Sequence, residues 1–220
     1  MLINKSTYKD YVVAHVYERL QKGELNAGDK VLESQLATEL GLSRAPIREA
    51  LQQMVGDGLL IYKPQVGNFV ASLSPKEIID AYVTRGLLEG FAVVEALERY
   101  SEDDLEELED ACLKMEKHAA RGKHKELIEI GTGFHQLLFN KSNNIQLIEY
   151  TQRLSHKLHL LFYRHWASLY TPEEIRNRHQ TLVGILRQRD RTLVEQALRQ
   201  HYNETGQKVA RFYAEREEGE

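Results

Sequence analysis

The chain has 220 residues, 42% hydrophobic and 28% charged, which is room for one large domain or two small ones with real cores. No apolar run approaches the roughly 18–20 residues of a membrane helix, no leader-like N-terminal stretch is present, and the single cysteine, Cys112, excludes a disulfide framework, so a cytoplasmic protein is expected. The net charge is −4, and residues 1–74 hold 8 Lys+Arg against 8 Asp+Glu, which excludes nucleic-acid binding driven by bulk basicity and leaves only local placement of cations.

Tyr8–Lys22 has the spacing of an amphipathic helix, with Val12, Val13, Val16, Tyr17 and Leu20 on one side. The stretch GELNAGDKV then turns the chain into Leu32–Leu60. There Leu36, Ala37 and Leu40 predict a short helix that Gly41 ends. Ser43 suits an N-cap, and Pro46 falls in the first turn of a second helix. Ile47, Leu51, Met54 and Val55 form its apolar stripe, Arg44, Arg48 and Gln52 share another face, and Gly58 closes it. Two short helices joined by a glycine turn make a helix-turn-helix, whose second helix enters the DNA major groove. An ordinary helical hairpin has the same pattern. Next come two β-type runs, Leu59–Tyr62 and Asn68–Ala71, joined by KPQVG, a hairpin placed where a winged helix-turn-helix carries its wing.

Ser74-Pro75-Lys76-Glu77 is a capping box with proline at the first helical position, and it marks the expected boundary between domains 1–73 and 74–220. Six helices follow: about Ile78–Tyr100, one capped by Ser101 and Asp104, about Lys123–Asn140, about Ile145–Ser168, one capped by Thr171-Pro172-Glu173-Glu174, and one capped by Asp190 and running to about Ala214. Short connections predict an antiparallel bundle of six to seven helices. Cys112 has helical spacing with Leu105, Leu108 and Met115, so it reads as a packing residue. His135, His179 and His201 fall on three different helices and could converge on one point, where imidazole suits zinc, nickel, copper or iron. Nine histidines make some chance alignment expected; His156 and His159, three residues apart, could share a face.

In this order, residues from about 6 to 72 resemble the GntR family of bacterial transcription regulators. The likeness is carried by Gly28-Asp29, Leu32-Glu33, Leu36-Ala37, Leu42-Ser43-Arg44-Ala45-Pro46-Ile47-Arg48-Glu49-Ala50-Leu51, Gly58-Leu59 and Gly67-Asn68-Phe69-Val70. It implies Ser43, Arg44, Ala45 and Arg48 at the major groove, Lys63 and Gly67 in the wing near the backbone or minor groove, and a contribution from Lys30. The bundle resembles the FCD ligand-binding domain that commonly follows this winged helix, through Arg85-Gly86-Leu87-Leu88-Glu89, Phe134-His135 with Ser142-Asn143-Asn144, and His179 and His201 at family-like intervals. That resemblance implies a divalent metal, zinc or nickel, on His135, His179 and His201, together with an aspartate four residues before the first. Here that position is Gly131, in Glu129-Ile130-Gly131-Thr132-Gly133-Phe134-His135. Glu129 is about 600° of helical turn from His135, some 120° off its face, so it cannot take over. The two glycines either make room for a ligand or a close helix or are tolerated irregularities.

The resemblance also implies a small carboxylate effector met by Arg85, with Tyr82, Arg153, Tyr163 and Arg164 as further cavity candidates. The plain alternative for Arg85 is a helix-neighbour ion pair with Glu89. The expected protein is mainly α, a ligand-responsive repressor binding a near-palindromic DNA operator as a homodimer. The competing readings are a metal-dependent hydrolase built on the three histidines and an interaction module whose helix-turn-helix meets protein.

Overall fold

The computed structural model describes residues 7–166 and 169–217, without the side chains at 160, 163–166, 216 and 217. Contacts divide the chain into two units, Met1–Ser72 with His156–Arg164, and Leu73–Ser155 with His165–Glu220.

In the first unit, α1 (Tyr8–Lys22) starts at Thr7, whose hydroxyl accepts from the Asp10 backbone in a capping box, and buries Val12, Val13, Val16 and Leu20. Helices α2 (Glu33–Leu40) and α3 (Arg44–Gly56) are joined through Gly41 in the left-handed region at φ 62°. Ile47, Ala50, Leu51 and Met54 of α3 are buried with Leu36 and the apolar face of α1 in one core. Ser43 occupies the N-cap position of α3, as expected, and its side chain makes no capping hydrogen bond. Strands β2 (Leu60–Lys63) and β3 (Gly67–Val70) form the wing hairpin, one residue displaced at each end from the expected runs. A third strand, β1 (Lys30–Val31), pairs antiparallel with β3, giving the order β1-β3-β2 with Lys30 opposite Phe69 and Ile61 opposite Phe69. Two residues carry no period-2 signal, so β1 is recognisable only from its partner.

The second unit is helical: α4 (Pro75–Glu95), a 3-10 turn at Leu97–Arg99, α5 (Glu102–Ala120), α6 (His124–Phe139), α8 (Pro172–Arg187) and α9 (Arg191–Glu217), with α7 (Ile145–Trp166) belonging to it except over 156–164. Among the described residues these are the six expected helices. Capping boxes at Ser74/Glu77, Ser101/Asp104 and Thr171/Glu174 start α4, α5 and α8, and the Asp190 carboxylate accepts from the Thr192 and Leu193 amides at the start of α9. No helix of the described residues is long and apolar enough to cross a membrane.

The principal packing pair is α4 on α9, and glycines set its closeness. A Cβ on Gly206 would lie 2.7 Å from Tyr82 Cβ, and one on Gly86 would lie 3.2 Å from both Arg199 Cα and Tyr202 Cβ. Gly206→Ala is therefore expected to cost about 1–3 kcal/mol, because the atom at 2.7 Å, Tyr82 Cβ, is not the free end of a flexible side chain. Gly184→Ala on α8, where a Cβ meets nothing within 4 Å, is expected to stabilise by about 0.5–1 kcal/mol. Thermal unfolding of the two variants beside the parent protein checks both signs.

Candidate DNA-binding face and candidate metal centre

The turn into α3 and the wing lie together in the first unit. Ser43, Arg44, Ala45, Arg48 and Lys63 are all exposed, and Gly67 is half-buried in the wing at φ 121°. The Arg48 Nε donates to Glu33 Oε2 at 2.9 Å across the helix-turn-helix, which holds the guanidinium in one orientation while leaving its two terminal nitrogens free of that contact. Lys30 on β1 and Lys63 on β2 lie on either side of β3, their ammonium groups 5.9 and 4.6 Å from the centre of the Phe69 ring. Lys30, Ser34, Arg44, Gln65 and Gly67 border one depression of about 380 Å³. Residues 1–74, with equal numbers of basic and acidic residues, thus gather Lys30, Arg44, Arg48 and Lys63 around the α3 N-terminus and the wing, which is the local placement that phosphate contact needs.

In the second unit, His135 of α6, His179 of α8 and His201 of α9 are 4%, 2% and 6% exposed. Each offers a nitrogen, and the three nitrogens lie within 4.8 Å of one another. The ring centres are 5.1–5.4 Å apart, with Phe134 edge-on to His135 and His179. Burial holds all three below the ordinary imidazole range: His135 is lowered, His179 is pushed down to about 3 by burial and then by His135, and His201 lies well below 6.5. All three rings are therefore neutral at physiological pH, the form that ligates metal. His179 Nδ1 lies 2.7 Å from the Ile175 carbonyl, an acceptor, so Nδ1 carries the proton. Its Nε2 then presents a lone pair, and that atom is buried with no partner. A buried, deprotonated, unpartnered imidazole nitrogen beside two further neutral imidazoles fits a divalent transition ion.

Behind the trio is a buried polar network. Glu89 of α4 is 0% exposed; its Oε1 accepts from Arg85 Nε at 2.8 Å and from the Ser155 hydroxyl at 3.4 Å. Its Oε2 accepts from the Tyr202 hydroxyl of α9 and lies 3.3 Å from His135 Nδ1. Burial acts to raise the Glu89 carboxyl, but Arg85 and then His135 outweigh it and hold it at about 2. Arg85, 1% exposed, stacks on Tyr202 with its guanidinium carbon 4.6 Å from the ring centre. Burial acts against its charge, and Glu89 more than offsets that. One terminal nitrogen of Arg85 is buried without a partner, as is the Thr151 hydroxyl of α7. Arg85 thus has both features weighed in the sequence, the helix-neighbour ion pair and a spare donor.

The other expected residues scatter. Tyr82 is fully buried in the α4–α9 contact, and Arg153 is exposed on α7. The side chains of Tyr163 and Arg164 lie outside the described residues. A Cβ at Gly131 would meet only Met115 Sδ, at an ordinary 3.5 Å, and one at Gly133 meets nothing within 4 Å, so no neighbouring helix requires either glycine. Sequence reasoning passed over Tyr202, Thr151 and Ser155 as site residues. The available signal was that Tyr202 follows His201 directly and that Thr151 and Ser155 are one turn apart on α7.

The family model described as the FCD domain matches residues 80–204, and that of bacterial regulatory proteins, gntR family, matches residues 8–70. The HTH-type transcriptional regulator YdhC of Bacillus subtilis (strain 168) is 28% identical, over 85% of this chain and 86% of its own length. A protein named a probable D-xylose utilization operon transcriptional repressor, from Paenarthrobacter nicotinovorans, is 28% identical over 89% and 84% of the two chains. Among solved structures, E. coli McbR/YncC superposes with a TM-score of 0.74 at 22% identity, covering 96% of this chain and 99% of that one, which establishes a shared fold.

Proposed function

Because the chain belongs to the GntR family of bacterial regulatory proteins and carries an FCD domain, and is thus a DNA-binding transcriptional regulator rather than an enzyme, we propose that it is a repressor that binds a near-palindromic operator as a cytoplasmic homodimer and responds to a small organic acid. The hydrolase alternative falls with the family, since both matched family models and the similar proteins are those of regulators. The repressor reading is supported by the name of the Paenarthrobacter nicotinovorans relative.

At the operator, the exposed α3 N-terminus would enter the major groove, with Ser43, Arg44 and Ala45 at its mouth. Arg48, steadied by Glu33 through Nε, would use its terminal nitrogens on a guanine edge or a phosphate. Lys63, Lys30 and the side-chain-free Gly67 would bring the wing to the backbone. Two copies double the phosphate contacts, which compensates for the neutral balance of residues 1–74.

The observation that carries the effector reading is the pair of buried orphan nitrogens, on Arg85 and on His179. His135, His179 and His201 would hold a divalent ion, zinc or nickel, which when bound supplies Lewis-acid attraction for a carboxylate. The spare Arg85 nitrogen and the Thr151 hydroxyl would orient the same acid without breaking the Arg85–Glu89 pair. Tyr82 and Arg153, with Tyr163 and Arg164 outside the described side chains, are assigned no role in this contact. Ligand binding that favours one arrangement of the paired DNA-binding units would then change operator affinity by the ligand's differential affinity for the two states.

Selection of bound duplexes from a random pool tests the DNA reading. Wild-type protein is expected to enrich a near-palindrome, with affinity falling steeply as salt rises. Arg48→Ala is expected to lose about 1–3 kcal/mol per half-site against that sequence while keeping its far-ultraviolet circular dichroism. Equal enrichment by the variant refutes a reading role for Arg48, and salt-independent capture favours the interaction-module alternative.

A further inference from the structure

We propose that Glu89, acting through Tyr202, is the positioning residue of the histidine centre: it locks His135 in the Nδ1-protonated tautomer and so turns the Nε2 lone pair toward a metal. The inference rests on reading His135, His179 and His201 as a metal site, and it concerns a residue that is not among the ligands.

The argument is a proton count along three side chains. Glu89 is paired with the Arg85 guanidinium, its Oε1 accepting from Nε at 2.8 Å, so it is a carboxylate and accepts only. Its Oε1 faces Arg85 and Ser155, so only Oε2 faces Tyr202 and His135. The Tyr202 hydroxyl has one proton, and the contact to a carboxylate oxygen claims it. The same hydroxyl lies 2.7 Å from His135 Nδ1. With its proton spent on Glu89, it can only accept there, and the 3.3 Å approach of Glu89 Oε2 to the same nitrogen also demands a donor. His135 Nδ1 therefore carries the hydrogen and Nε2 is left bare. The Ile175 carbonyl imposes the same tautomer on His179. Two of the three imidazoles are thus set by acceptors on their far side, one a backbone carbonyl and the other a carboxylate working through a phenol. Glu89 also brings the negative charge nearest to a trio that is itself neutral, and with Gly131 at the position four residues before His135, α6 offers no carboxylate on that face.

The test uses purified full-length protein stripped of metal, with cobalt(II) as the probe. Long-range proton–nitrogen NMR of the histidine rings is expected to show His135 protonated at Nδ1 in wild type and as a tautomer mixture in Tyr202→Phe. Cobalt affinity, read from the visible d–d bands, is expected to fall about 10–100-fold in Tyr202→Phe and in Glu89→Gln. Tyr202→Phe is expected to stay folded without metal, with the lower melting temperature that loss of one buried hydrogen bond gives, so the tautomer readout rather than stability separates positioning from a merely structural role. A wild-type His135 protonated at Nε2 overturns the proposal without any variant, and so does unchanged cobalt affinity in a folded Tyr202→Phe. A wild type that takes up no cobalt overturns the metal reading instead, while the NMR result still decides the tautomer.

Discussion

Replacing Glu89 with leucine is expected to cost the helical unit about 3–5 kcal/mol, and replacing Arg85 with methionine in the same chain is expected to recover most of it. The single change strands a guanidinium that is 1% exposed and already has one terminal nitrogen without a partner. Its Nε would lose the 2.8 Å contact to Glu89, and the Tyr202 hydroxyl would lose its carboxylate acceptor. The remaining Tyr202 ring contact, with the guanidinium carbon at 4.6 Å, is worth only about 0.5–2 kcal/mol and cannot hold a buried charge alone. The double variant removes both charges and fills similar volume with apolar atoms, which is the exchange that buried ion pairs tolerate. Urea unfolding of the parent, Glu89→Leu, Arg85→Met and the double variant gives the coupling energy directly. A Glu89→Leu cost below about 1 kcal/mol would mean that water reaches Arg85, and would remove the basis for reading its spare nitrogen as a ligand contact. If the double variant is stable yet indifferent to organic acids, the pair is kept for ligand recognition rather than for stability.

Local side-chain logic made most helix starts readable. Ser74 with Glu77, Ser101 with Asp104, and Thr171 with Glu174 are three-residue devices, and each forms the reciprocal hydrogen bonds that its sequence announces. Ser43 holds the N-cap position, but three residues on is Pro46, which has no N–H to donate, and its hydroxyl makes no cap. The i,i+4 spacing of Arg85 and Glu89 was equally visible and equally real. What stayed hidden depends on crossings between distant segments. The Arg48–Glu33 pair spans 15 residues and a turn. Glu89, His135 and Tyr202 meet because α4 and α9 approach closely at Gly86 and Gly206, and no helix-period pattern encodes that approach. Three histidines on three helices suggested a cluster, whereas the groups that orient them are an ordinary glutamate and tyrosine which only the packing identifies.

Metal-free protein is expected to lose stability as pH falls below 6.5, with His179 alone contributing a slope approaching about 1.4 kcal/mol per pH unit. Each of the three histidines is neutral in the folded chain because burial lowers its pKa, to about 3 for His179 and also below 6.5 for His135 and His201. In the unfolded chain each returns to about 6.5 and binds a proton below that pH. Unfolded protein then holds more protons than folded protein, so the unfolding free energy rises with pH across this window; the contribution is complete above 6.5 and is lost as pH falls toward the folded values. One such group contributes about 1.4 kcal/mol per pH unit at the limit, which His179 approaches, and His135 and His201 add in the same direction. Glu89 acts in the same direction but later: its folded pKa of about 2 lies below the usual 4.5, so its share is lost only under more acidic conditions. Urea unfolding at intervals from pH 7.5 to 5 measures the slope, and His179→Asn is expected to reduce it. A flat profile would mean that the trio is hydrated and its imidazoles titrate freely, which would weaken the metal reading as well. If the slope appears, protons and metal compete for the same lone pairs, and acidification within this window should release bound cobalt before the operator-binding unit unfolds.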